Sequence, residues 1–367
     1  MNRLAIRSLP ARRHAQGAIA LVVALTLLGA MLLVLAAANR GLLLELRMAT
    51  NQVRSTTAFE AAEAGLEWAT AQLNTAEPLA RDCHVDTSAA TSFRERYLAT
   101  NAGGYTVRTW TQAGVTAPLQ PACTHGDAGW SCDCPADTAA APATAEGPGA
   151  AVTLQFLPGG RAGLLRVIAT GCDRLAAGCT AATAAGAQAS ARAEVLLALL
   201  PALSAPPATA LTLRAAGVDA DPFFVAHFGL SKRAWKAQTM VRQVDCGGEC
   251  SAALSAAIGP DTTRQLIWIE GDLLLQGPVT LGTAERPVLI VATGSIRLQG
   301  PVALNGVLYG NSIGWSGATA PLRGALLSET TSAGDNPLDL QHDAAVLEAL
   351  RTRTGSLVRV PGGWRDF

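Results

Sequence analysis

Charge is scarce in this 367-residue chain. Asp, Glu, Lys and Arg make up 15% of it, and 28 basic residues balance 28 acidic ones. No basic field exists to hold nucleic acid, and no acidic tail stands out. Lysine occurs only at Lys232 and Lys236, a bias that reads as coding composition rather than function. Five histidines are few for a metal-rich protein. No phosphate-binding loop, His-Glu-x-x-His or dinucleotide fingerprint is found, so the chain reads as non-enzymatic and no cofactor is expected. Apolar residues, by contrast, make up 49%, with alanine and glycine supplying much of the bulk. That composition excludes disorder or a collagen-like repeat over the whole chain. The length suits two or three domains.

Residues 1–17 carry Arg3, Arg7, Arg12, Arg13 and His14 and no acid. From Ala18 to Ala38 there is no charge at all over 21 residues. As a helix this run spans about 31 Å, close to the hydrocarbon thickness of a bilayer. Arginines before the span put the N-terminus in the cytoplasm and the bulk of the chain across the membrane. A secretory signal would have a shorter apolar core with a cleavage site beyond it. Here Leu42, Leu43, Leu44, Leu46 and Met48 continue the apolar character. Phe59, Ala62, Leu66, Ala69 and Leu73 then recur at helical spacing, and Pro78 supplies a stop. One helix of roughly 55 residues, from Ala18 to about Leu73, is predicted in preference to an anchor followed by a separate helix.

The segment Gln16-Gly17-Ala18-Ile19-Ala20-Leu21-Val22-Val23-Ala24-Leu25 resembles the leader junction and start of a type IV pilin-like protein. Residues 42–69, with their AFEAAEAGLE stretch, are similar to the N-terminal region of PilX-type pilus assembly proteins. The resemblance implies cleavage between Gly17 and Ala18 by a prepilin peptidase, followed by N-methylation of the new amine of Ala18. It also implies assembly with other minor pilins and the major pilin through helix packing. Two departures matter. Ala18 stands where major pilins usually have phenylalanine, and Val22, the fifth mature residue, stands where most carry glutamate. Loss of the leader leaves 24 basic against 28 acidic residues, which makes a nucleic-acid partner less attractive still.

Beyond the helix, Gly104–Trp110, 151–157, 164–169 and 191–200 read as strands. Gly159-Gly160 reads as a hairpin turn between the second and third. A long helix followed by an antiparallel sheet is the pilin plan. Ala/Thr/Pro/Gly-rich stretches at 136–150 and 180–190 read as surface loops, and 201–210 as a linker. All eight cysteines lie beyond the span, in a disulfide-permissive compartment. Cys172–Cys179 and Cys246–Cys250 are natural local pairs. Cys83, Cys123, Cys132 and Cys134 allow three connectivities, and the spacing gives no choice among them. Zinc is the competing reading, through these cysteines with His84 and His125, but the spacing fits no common zinc motif.

The last third repeats itself. The eleven residues from Gly271 to Leu281 recur from Gly294 to Leu304, with seven identities at an offset of 23. Weaker echoes follow at Gly306–Gly310 and Gly324–Leu327. Short apolar strands with glycine corners predict rungs of a small β-solenoid. The phenylalanine-rich stretch 221–235 is expected to cap the first rung, with His227 as a core residue. The candidates for acid catalysis on the rungs are Glu270, Asp272 and Glu285. Asp272 and Ser295 occupy equivalent repeat positions, so the carboxylate is not stacked from rung to rung, and these acids read as solvated turn residues. The repeat and the VPGGWRDF ending are also similar to longer PilX-like proteins.

The expected fold class is therefore α+β: a long N-terminal pilin-type helix, an antiparallel β-sheet module and a C-terminal β-solenoid-like repeat region. The expected divisions are a leader at 1–17, a transmembrane helix at 18–75, a pilin-like β module at 76–200, a linker at 201–210, and a helical cap with a solenoid-like domain at 211–367. The expected function is that of a minor pilin-like subunit that initiates or caps a type IV pilus, anchored by one pass in the bacterial inner membrane and carried to the pilus tip. The alternatives are a minor pseudopilin of type II secretion and a filament-displayed adhesin.

Overall fold

The computed structural model describes residues 16–89, 91–101, 104–140, 147–175, 179, 189–259 and 264–366. Leader residues 1–15, and 141–146 and 180–188 of the two low-complexity loops, lie outside them. The chain divides into two units, Met1–Thr56 and Thr57–Phe367. Helix α1 (Gln16–Leu73) runs through the division as 58 unbroken residues.

In the second unit the stripe of Ala58, Ala62, Leu66, Ala69 and Leu73 is buried. It packs on a six-stranded antiparallel sheet whose order is Gly355–Asp366, Ser190–Pro201, Leu164–Leu175, Gly147–Pro158, Ala122–Gly126, Gly129–Asp133. Alternate residues face the helix from these strands: Val152, Leu154 and Phe156, then Leu165, Val167 and Ala169, then Ala193, Val195 and Leu197. The Gly159-Gly160 turn joins the two central strands. Helix and sheet approach most closely at Gly171, where a Cβ would lie 2.0 Å from the Ala58 carbonyl oxygen and 2.6 Å from the Ala62 nitrogen. Both neighbours are backbone and cannot rotate away. Gly171→Val should therefore destabilise the chain by roughly 2–4 kcal/mol, read as a lowered unfolding midpoint of the detergent-solubilised protein. An unchanged midpoint would contradict this packing.

The expected strand at 104–110 is broken. Gly104–Val107 pairs with Leu98–Asn101, and Thr109–Gln112 pairs with Val115–Pro118. Arg108 between them leaves both ladders, and its amide donates to the Tyr97 carbonyl at 2.9 Å. The C-terminal tail also differs from its expected grouping with the solenoid. Gly355–Asp366 is the edge strand of the antiparallel sheet, paired with Ser190–Pro201. Leu357 enters the core beneath the helix, and Trp364 meets Phe59 edge-on at 6.4 Å. The stretch that composition reads as a linker begins inside the core: Ala202 and Leu203 are buried, and the Trp235 indole donates to the Ala202 carbonyl at 3.1 Å.

The C-terminal β-solenoid has about four turns. Leu273 aligns with Ile296 and Val279 with Val302, so the 23-residue offset is the rung register. The next step is shorter, with Ile296 beside Ile313 and Val307 beside Ala325. Ile267, Leu275, Ile290, Leu298, Leu308 and Leu326 fill the interior. Gly324, at φ 126°, permits the tight stacking of the last turns, since a Cβ there would sit 1.9 Å from the Gly306 oxygen.

The larger parallel sheet is buried on both faces, which explains its unalternating runs LIWI and VLIVA. Its outer face carries Trp268, Leu289, Val291, Val307 and Tyr309. The phenylalanine-rich segment covers this face rather than capping the first rung. After the short helix α2 (Phe93–Tyr97), helix α3 (Ala220–Phe228) sets Phe224 5.0 Å from Tyr309, and α4 (Lys232–Lys236) sets Trp235 6.1 Å from Trp268. An apolar outer face needs a cover more than the first rung does. The interior is reached instead by α5 (Ser251–Ile258), through Leu254 and Ile258. Helix α6 (Ala344–Thr352) adds Leu347 and Leu350 to the outer layer.

Candidate functional site

The first unit presents an apolar helical surface. Among the described residues one helix is long and apolar enough to cross a membrane. Ile19 is 66% exposed, Val22 59% and Leu33 74%, and the uncharged stretch continues to Asn39. The hydroxyl of Thr26 donates to the Val23 carbonyl at 2.9 Å, and that of Thr50 to Leu46 at 2.7 Å. These polar groups are thus satisfied within the helix, as an apolar surrounding requires. Gly17 and Ala18 lie in its first turn, which carries no acidic residue.

The other end of α1 is held by residues that sequence reasoning missed. No basic residue lies in its last turn. Arg94, buried on α2, supplies the cation from outside. Its Nε donates to the Leu73 carbonyl and its Nη1 to the Gly355 carbonyl, both at 2.8 Å, and its Nη2 donates to Asn74 Oδ1 at 3.3 Å. The Asn74 Oδ1 also accepts from the Leu357 amide at 2.6 Å, and its Nδ2 donates to the Leu357 carbonyl at 2.8 Å. Burial pushes the Arg94 pKa down, partly opposed by Tyr105 and Glu95. Arg96 does similar work two residues on, donating to the carbonyls of Leu79, Ala80 and Cys134. The capping box of Ser92 and Glu95 is the one local signal that could have located this helix.

The cysteines form four disulfides: Cys83–Cys134, Cys123–Cys132, Cys172–Cys179 and Cys246–Cys250. The first ties the irregular segment after the helix to the end of the Gly129–Asp133 strand, where Arg81 also pairs with Asp133 at 2.8 Å. The second crosses the hairpin at the sheet edge. Among the described residues no group of three His, Cys, Asp or Glu is placed to hold a metal ion.

The rung acids are engaged separately. Glu270 accepts from Lys236 at 2.7 Å and from the Trp268 indole at 3.0 Å, which hold its pKa down. Asp272 accepts from the Ser295 amide at 2.7 Å and so ties two rungs together. His227 is half-buried at the rim of the aromatic layer, its Nδ1 3.1 Å from the Ala205 carbonyl oxygen. One enzyme-like spacing escaped the motif reading. Gly310-Asn311-Ser312-Ile313-Gly314 has the Gly-x-Ser-x-Gly pattern. Ser312 starts a solenoid strand rather than a strand-to-helix elbow, and its hydroxyl donates to the Ser295 hydroxyl at 2.9 Å.

The two lysines, assigned above to coding composition, share one role. Lys232 pairs with buried Glu329 at 2.5 Å and lies 5.6 Å from the Tyr309 ring centroid. Lys236 pairs with Glu270 and lies 5.6 Å from that of Trp268. Spaced one turn apart, they pin α4 to the outer face of the solenoid.

The family described as PilX N-terminal matches residues 16–67, all of them within α1. This match supports a PilX-type type IV pilus protein anchored in a membrane by its N-terminal helix. No curated protein matches the chain, and no solved structure matches it.

Proposed function

We propose that this chain is a non-enzymatic minor pilin-like subunit that initiates or caps a type IV pilus. A prepilin peptidase cuts it between Gly17 and Ala18, and the amine of Ala18 is then methylated. The helix crosses the inner membrane once, with the bulk of the chain in the periplasm. Its partners are other minor pilins and the major pilin.

The observation that carries this reading is Val22, exposed in the second turn of α1 on a helix with no acidic residue before Glu45. A new amine at Ala18 adds a positive charge to the positive end of the helix dipole. In a bundle of apolar helices that amine needs a carboxylate. By its resemblance to pilins, the glutamate usual at the fifth mature position of an incoming subunit pairs with the amine of the subunit already in place. Val22 cannot supply that carboxylate. Joining beneath another subunit would leave a desolvated amine unpaired, at a cost of several kcal/mol. Joining first leaves no such amine, and the next subunit's glutamate can still meet Ala18.

An epitope placed in the second unit should therefore label sheared filaments at one end only. Regular label along the shaft would overturn the assignment. Val22→Glu removes the restriction and should bring label into the shaft. Loss of surface pili and twitching, with secretion intact, is expected on deletion of the gene. The opposite pattern would assign the chain to type II secretion.

A further inference from the structure

Between α2 and the Leu98–Asn101 strand on one side, and α6 and the solenoid on the other, lies a cavity of about 360 Å³. Four arginines line it. Arg94 is spent on backbone carbonyls, and Arg286 pairs with Glu95 at 3.2 Å. Arg108 and Arg353 form no ion pair among the described residues. The carboxylate within electrostatic reach of Arg353 is Glu348, and both its oxygens are held by Arg351 at 2.7 Å. The Nε of Arg353 is buried with no hydrogen-bond partner. That nitrogen faces protein rather than the cavity, so what favours a ligand is the missing carboxylate partner: a guanidinium matches a carboxylate in a planar two-bond fork.

The rest of the lining narrows the ligand. Glu285 and Gln265 offer acceptors, while Leu98 and Met240 offer an apolar surface. Two carboxylates in the wall, Glu95 and Glu285, repel a compact dianion such as phosphate. Glu285 suits a hydroxyl group, which donates to it, while the two Glu95 oxygens are held by Ser92 and Arg286. The volume lies at the lower end of the range for small-molecule pockets. The geometry points to a binding site for a hydroxylated carboxylate of hexuronic acid size, with Arg108 and Arg353 holding the carboxylate. This site lies outside the α1 surface and stands or falls independently of the filament assignment.

The test is titration of the full-length mature chain in detergent with galacturonate and glucuronate, followed by calorimetry and saturation-transfer NMR. Glucose and inorganic phosphate serve as comparison probes. At least one sugar acid should bind saturably, and glucose should not. Arg353→Gln should weaken binding at least about tenfold. Arg108→Gln, at an exposed position whose loss leaves the core intact, should weaken it in the same direction. Tighter binding of an oligogalacturonate than of the monomer identifies an acidic polysaccharide as the source, and equal affinity identifies the free acid; either supports the site. No saturable binding of either sugar acid, affinity unmoved in both variants, or phosphate binding as well as the sugar acids would overturn the proposal.

Discussion

Gly17→Leu should leave the chain unprocessed, with all 17 leader residues still attached, and absent from filaments. The argument starts from the charge pattern. Four arginines and no acid precede an uncharged run that begins at Ala18, so the boundary between basic and apolar sequence falls at the Gly17–Ala18 bond. A peptidase working at the membrane face must bring this backbone into its site, and glycine alone offers that approach without a side chain. Leucine would block it. The retained arginines would then hold the N-terminus at the cytoplasmic surface. Drawing each one into the hydrocarbon costs roughly 2.5–3.5 kcal/mol on insertion scales, so the helix could not leave the bilayer for a filament. Intact-mass analysis of the membrane-extracted variant reads the leader directly, and the sheared-filament fraction reads incorporation. Recovery of a chain beginning at Ala18 from this variant would refute the cleavage assignment.

What could be read without coordinates was what repeats at short range. Ala62, Leu66, Ala69 and Leu73 announce one helix face and pack on the sheet; Phe59, at the same spacing, is half-buried against Trp364 instead, and Ala58 takes its place in the buried stripe. The 23-residue echo fixes which residues share a rung, because parallel stacking places Leu273 on Ile296. The contacts that close the fold have no such signature. Gly355–Asp366 pairs with Ser190–Pro201 across more than 150 intervening positions, and nothing local distinguishes its VPGGWRD from a solenoid corner. Lys232 and Lys236 look like remnants of a biased composition until α4 is set against Tyr309 and Trp268. Arg94 and Arg96 carry no local sign of their role. Their burial follows from neighbours that lie 16 to 261 positions away, among them Leu79, Ala80 and Gly355. In the candidate assembly surface, the reverse holds. The leader junction, the apolar run and Val22 are consecutive in the chain, so their chemistry is visible in the sequence alone.

Arg94→Met should be the most damaging single change in the second unit outside the apolar core. The wild-type side chain closes three acceptors at once: the last helical carbonyl of α1, the Gly355 carbonyl at the start of the edge strand, and the Asn74 side chain that holds Leu357. Methionine fills most of the volume and removes the cost of burying a charge. It nevertheless takes the donor from the Leu73 and Gly355 carbonyls in a buried site, and leaves the Asn74 Oδ1 with the Leu357 amide alone. Leaving two buried carbonyls unpaired costs roughly 1–3 kcal/mol each, or roughly 2–5 kcal/mol together. For a unit of this size that corresponds to a fall in Tm of roughly 3–8 °C. Arg94→Lys should recover little, because one ammonium head on a flexible stem cannot span three acceptors set in a fork. Asn74→Ala should fall between, since the edge strand loses its two bonds to Leu357 while Arg94 keeps both carbonyls. The exposed Arg359–Glu67 pair ties the same strand to the helix, yet Arg359→Gln should cost less than about 1 kcal/mol. Hydrogen exchange at the Leu357 amide separates the two kinds of contact. It should accelerate sharply in Arg94→Met and Asn74→Ala and stay near wild type in Arg359→Gln. If the three variants melted together and exchanged alike, the helix end would owe its position to apolar packing alone, and the polar junction would have no share in holding the C-terminal strand.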